Sequence, residues 1–246
     1  MKTLTTPAFT TLATGMLFGV SAQGAAITYV DALEGASGNT YATGGSLADT
    51  SWVGPNSAGD NETQWNKRTA GGTNGNVFQG RHNLDDAGGD QMPELTTEIT
   101  GLADGLYDVW VFFWDADETS VPNRWSISAG LNSGALTSYS IVGLGDTSSP
   151  VLASTLTFDS SAPLQSDGNL LLWGVNLGQA TVDGGSTIDV FVDNLLGNTA
   201  FGGSSAPSST NRTWYDGVGY ELVPEPSSLA LLGLGGLVAL RRRRSH

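Results

Sequence analysis

No cysteine occurs in the 246 residues. Disulfide frameworks, thiol nucleophiles and thiolate metal sites are therefore excluded together, and stability has to come from a hydrophobic core. Histidine is almost as scarce: His82 lies in the body and His246 at the end, and His82 has no recognisable triad or metal partner in sequence. The G-x-S-x-G elbow, H-E-x-x-H, the P-loop and the dinucleotide fingerprint are all missing, so the chemistries that depend on them have no signal here. Outside the C-terminal segment, no stretch keeps a 3.6-residue apolar period with caps. Positive charge is the remaining shortage. Lys2 and Arg241 to Arg244 stand at the two ends, leaving five basic residues against 23 acidic ones between them, a net charge near −18. Such a field repels nucleic acid, and it repels anionic polysaccharide unless cations intervene.

What the chain has in quantity is turn-forming residues, 34 glycines among them, and short β-branched or aromatic runs. These predict strands joined by tight turns. The first strand is expected at Ile27 to Ala32, followed by a loop-rich region from Glu34 to Thr73 with one or two short strands. Another short strand is expected at Val77 to Gln79. Leu95 to Thr100 alternates apolar with polar, and Leu106 to Trp114 is apolar and aromatic throughout, as a central strand would be. The Asp104-Gly105 turn between them predicts an antiparallel hairpin. Further strands are expected at 125–131, 138–142, 152–158, 169–177, 187–193 and 214–222. In the 187–193 strand, Ile188, Val190 and Val192 share one face.

The two ends differ in kind from this body. At the N-terminus, Lys2, the apolar run Leu12 to Val20 and the small residues Ser21 to Ala26 have the make-up of a secretory signal. Residues 1–24 are read as a signal peptide, cleaved between 24 and 27, with the Sec translocon and signal peptidase as partners. At the C-terminus, Val223-Pro224-Glu225-Pro226 precedes an apolar run of 14 residues, Ser227 to Leu240, and then Arg241, Arg242, Arg243 and Arg244. The prolines keep the residues around Glu225 extended. As a helix the run spans roughly 21 Å, short of the hydrocarbon core of about 30 Å. That length suits a temporary anchor, with the arginines held cytoplasmic.

This three-part tail closely resembles the PEP-CTERM sorting signal of exported bacterial proteins. The resemblance implies an exosortase-type protease as partner and transient anchoring in the inner membrane. Delivery to the cell surface, outer membrane or extracellular matrix would follow. Residues 223–246 are read as this sorting segment. The body, 25–222, is of a size that fits one domain.

The expected fold is all-β: a single β-sandwich with jelly-roll-like connections, flanked by an N-terminal signal helix and a short C-terminal membrane helix. Two stretches of the body add a resemblance. Gly101-Leu102 through Gly105-Leu106-Tyr107-Asp108-Val109 resembles a hairpin common in secreted β-sandwich and carbohydrate-binding modules. Tyr215-Asp216-Gly217-Val218-Gly219-Tyr220 is similar to the closing strand of galactose-binding-like jelly rolls. Both resemblances imply architecture and leave activity open.

Seven tryptophans lie in the body, and flat indole faces stack on sugar rings. Trp110, Trp114 and Trp173 sit in apolar runs and read as core. Trp52 and Trp65, among loop residues, and Trp125, which opens a strand after a polar loop, are the glycan-binding candidates. Asp115, Asp117 and Glu118 follow the longest strand and are the candidate Ca²⁺ ligands, because carboxylates at a strand end are a common cation site in sandwiches. No catalytic residue is assigned. The leading expectation is a non-catalytic surface or matrix protein associated with exopolysaccharide. The alternative is a secreted glycosidase or lyase using a carboxylate pair. The same tail type occurs on some ice-binding proteins, but a regular Thr-x-Thr ladder is missing here.

Overall fold

The computed structural model describes residues 26–34, 38–43, 52–53, 65–68, 77–81, 94–116, 126–131, 136–140, 150–194 and 212–224. The expected signal helix and C-terminal helix lie outside these residues. The strands are β1 (Thr28–Asp31), β2 (Thr40–Ala42), β3 (Trp52–Val53), β4 (Trp65–Arg68), β5 (Val77–Arg81), β6 (Leu95–Ile99) and β7 (Gly105–Ala116). They continue as β8 (Ser126–Leu131), β9 (Thr137–Ser140), β10 (Val151–Leu152), β11 (Ser166–Asp167), β12 (Leu170–Val182), β13 (Ile188–Asp193) and β14 (Arg212–Leu222).

They form two sheets. The larger has the order β10-β12-β7-β14-β5-β4-β3, with β1 also on β14 and β11 also on β12, and the smaller has the order β2-β6-β13-β8-β9. Among the described ladders only β3–β4 is parallel. The chain changes sheet at most of its connections, including β5–β6, β6–β7, β7–β8, β12–β13 and β13–β14. This alternation makes a jelly-roll-like sandwich of the kind the turn-rich sequence implies.

β7 lies in the interior of the larger sheet, between β12 and β14, because both its faces are apolar. Tyr107, Val109, Val111 and Phe113 point between the sheets, where they meet Leu95, Ile99, Ile127, Ile188, Val190 and Val192 of the smaller sheet. Phe112 and Trp114, with half-buried Trp110, point outward into a second apolar cluster. Ala153, Leu156, Phe158 and Leu164 of the segment after β10 cover that cluster. Burying a side chain the size of Phe112 contributes roughly 2–3 kcal/mol. Its ring fits because Gly174 and Gly219 leave room: a Cβ at either would lie 2.8 or 2.9 Å from a Phe112 carbon.

Two elements differ from what the sequence predicts. β6 and β7 form no hairpin: β6 pairs with β2 and β13, whereas β7 pairs with β12 and β14. The 100–104 connection carries the chain from one sheet to the other, because both strands need a face against the inter-sheet core. The expected strand at 152–158 is instead β10, a 3-10 turn at Ala153–Thr155 and a single bridge from Phe158 to Ile27. After Leu152, its apolar residues Ala153, Leu156 and Phe158 cover the second cluster and make no ladder.

The registers give the sandwich two distinct ends. Gly105, Val182, Ile99, Ile188 and Leu222 lie at one. Ala116, Leu170, Leu95, Asp193, Ser126 and Arg212 lie at the other, where the Thr213 hydroxyl donates to the Ser126 carbonyl at 2.6 Å across the two sheets.

Candidate functional site

The most unusual chemistry among the described residues is a buried carboxyl in the middle of β14. Tyr215 pairs with Phe113 and Gly217 with the next residue back, Phe112, so Asp216 is the extra residue of a β-bulge. On the opposite edge of β14, the partner changes at the same point, from β5 up to Tyr215 to β1 from Gly217 onward. A bulge at such a change re-aims a side chain, and here it turns the Asp216 carboxyl into the outer apolar cluster.

Asp216 is 3% exposed and both its oxygens are engaged. The Tyr29 hydroxyl donates to Oδ2 at 2.6 Å, and the Trp114 indole N–H donates to Oδ1 at 2.9 Å. Its backbone carbonyl accepts from the Ala32 N–H at 3.0 Å. Asp31 stands on the other side of the same hydroxyl, with Oδ1 at 3.3 Å from the Tyr29 oxygen. Gly217 is required at this crossing, because a Cβ there would lie 2.7 Å from the Tyr29 hydroxyl oxygen and 2.5 Å from the Val30 carbonyl.

Burial pushes the Asp216 carboxyl up to about 6, opposed by the Tyr29 and Trp114 hydrogen bonds, which favour the charged form. The Tyr29 hydroxyl is raised well above its ordinary value, by burial first and then by the negative charge of Asp216 and Asp31. The arrangement therefore holds a proton that exchanges near pH 6, but it holds it under the sheet. Its evident work is to fasten β1 across the bulge of β14. A second buried relay ties the sheets together: the Tyr215 and Thr97 hydroxyl oxygens are 2.6 Å apart, and Thr97 and Thr40 are 2.9 Å apart.

The residues selected from sequence fall partly within and partly outside the described residues. Trp65 has no exposed surface and belongs to the inter-sheet core. Trp52 lies on β3, in parallel register with Trp65. Asp115 is fully buried near the end of β7 and has partners within the fold. Trp125, Asp117 and Glu118 lie outside the described residues, as do Glu225, Pro226 and Arg241 to Arg244. Their flanking strand ends are described: Ala116 and Ser126 both lie at the end away from Leu222. Asp216 was not a sequence candidate. Its signal was an acidic residue interrupting an otherwise core-facing strand, followed by glycine.

Val223 and Pro224 close the described chain. β14 stays paired with β7 up to Leu222, and the Val223 N–H still donates to the Leu106 carbonyl at 2.8 Å.

Compared with known families, residues 222–244 match the PEP-CTERM protein-sorting motif. This motif marks an exported protein that is processed by exosortase. No curated protein matches the chain. Among solved structures, it is similar to the GH26-CBM35 β-(1,4)-mannanase of Podospora anserina, at 14% identity and a TM-score of 0.35. That match covers 82% of this chain but only 29% of the mannanase.

Proposed function

We propose that this exported, exosortase-processed chain delivers a non-catalytic acidic β-sandwich to the cell surface or extracellular matrix, where it binds exopolysaccharide. The observation that supports this reading is the polarity of the sandwich. The sorting tail leaves from the end holding Leu222, while the strand ends flanking segments 82–93, 117–125 and 195–211 all lie at the opposite end. With the tail in a membrane, that opposite end points away from the lipid, and Trp125, Asp117 and Glu118 adjoin it in sequence. Connections on a rigid sheet scaffold are where binding residues concentrate. Ca²⁺ held by Asp115, Asp117 and Glu118 would offset the acidity of the body against an anionic glycan; of this set, Asp115 is fully buried.

The test is retention of the purified body on a panel of polysaccharides, with and without EDTA. Trp125→Ala and Trp52→Ala should weaken retention about tenfold each, as loss of a stacked aromatic does. Unaltered retention in both variants would remove the glycan reading.

A second reading, an enzyme acting on polysaccharide, draws on one observation: the Asp31 and Asp216 carboxyls share the Tyr29 hydroxyl, and Asp216 titrates near 6, where a general acid operates. It requires substrate to reach a residue that is 3% exposed. Release of reducing sugar by the wild-type protein, lost in Asp216→Asn, would establish it in place of the first.

A further inference from the structure

The tail is joined to the sandwich without a spacer. The matched motif begins at Leu222, which is still opposite Tyr107 in the sheet, and Val223 makes the last rung with Leu106. Glu225, the centre of the Pro-Glu-Pro segment, follows that rung by two residues, about 7 Å of extended chain. This is well under the radius of gyration of even a small protein, about 13 Å for 100 residues. Any protease that grips Pro224 to Pro226 therefore has to touch the end of the folded body.

That end has a definite composition. Leu106 and Leu222, two of the four large hydrophobic side chains exposed among the described residues, flank the last rung at 37% and 49% exposure. Beside them stand two tight turns fastened to each other, since the Gly184 N–H donates to Asp104 Oδ1 at 2.9 Å. Asp104 and Asp183 of these turns are exposed. No lysine or arginine occurs in 101–108, 182–189 or 220–224. An acidic surface without basic residues is repelled by anionic lipid headgroups, so it fits a protein partner better than the bilayer itself.

We infer that this end of the sandwich, formed by the 101–106 and 183–185 turns with Leu222, is a docking surface for the membrane protease that processes the tail. The inference rests on the sorting reading of residues 222–244. The protease then meets a composite substrate: the motif supplies the cleaved segment, and the folded body supplies Leu106 and the acidic turns. Basic residues around an apolar seat are the complementary features to expect on the protease.

Pulse-chase conversion of the full-length precursor, in a host that carries the protease, tests this. The variant Leu106→Lys with Asp183→Lys alters the surface but leaves the matched motif intact. It should slow conversion about tenfold, the loss of one strong interface contact, with an unchanged denaturation midpoint for the purified protein. Ten Gly/Ser residues inserted between Glu221 and Leu222 move the motif away from the body. With that insert, wild-type and variant bodies should convert at one common rate. Conversion of the variant at the wild-type rate without the insert overturns the docking surface, as does an equal slowing with the insert present. Faster conversion on insertion alone, with the lysine substitutions silent, overturns it in favour of unzipping of the Val223–Leu106 rung as the limiting step. Glu225→Ala is the separate control on the sorting reading. It should stop conversion in every background, and conversion that continues would remove that reading and the docking inference with it.

Discussion

Asp216 gathers the local physics of this protein into one side chain. Its carboxyl is raised because burial penalises the charged form by more than two hydrogen bonds favour it. A folded-state value above the unfolded one, about 3.9, fixes the sign of the linkage. The contribution to stability is complete below about pH 4 and is lost as pH rises through about 6. Over that window it amounts to roughly 3 kcal/mol. Urea denaturation from pH 4 to 8 should therefore show wild-type stability falling relative to Asp216→Asn, with most of the change between pH 4 and 7. A difference that stays flat across that range would contradict the assignment. Tyr29→Phe removes the 2.6 Å donor and leaves Oδ2 without it, at a cost of about 1–3 kcal/mol. Combined with Asp216→Asn, the two losses should fall short of additive, since they share one contact.

At the scale of elements, β7 shows why an antiparallel strand can be apolar on both faces. One face closes the inter-sheet core, and the other is covered by the segment after β10. Phe112→Ala should cost about 3–5 kcal/mol, because the glycines that make room for the ring leave nothing to collapse into its place. Trp65→Ala should cost about as much, because β4 delivers its indole to the core. A thermal melt of Trp65→Ala should move far more than its polysaccharide retention measured below the melting temperature. The last rungs of β14 are weaker by construction. Glu221 stands opposite Asp108, and its carboxyl is raised by burial first and by that like charge second. Hydrogen exchange at Val223 should accordingly be faster than at Val218, and Glu221→Gln should slow it at neutral pH.

For the molecule as a whole, the directing fact is that β14 ends toward the tail at one end of the sandwich, while the strand ends flanking segments 82–93, 117–125 and 195–211 lie at the other. Deleting 223–246 should send the body to the medium or periplasm without membrane retention. Identical fractionation of full-length and truncated chains would contradict the sorting role. Much of this was legible before the fold was known. The tail could be read because a sorting signal is linear: prolines, apolar run and arginines act in order, whatever the body does. β7 and β13 could be read because aromatic content and period-two alternation are local. The partners of β6 could not, since a short Asp-Gly turn serves a hairpin and a crossing between sheets equally well. Trp65 reads as a loop residue because its neighbours are polar, and only its pairing on β4 buries it. Asp216 depends on three strands meeting at one residue. The sequence by itself determined the all-β class, the acidity and the address, because composition, alternation and linear motifs carry them. Tertiary structure alone decided which carboxyl is buried, which tryptophan is core and which end bears the tail, because each depends on residues distant in sequence coming into register.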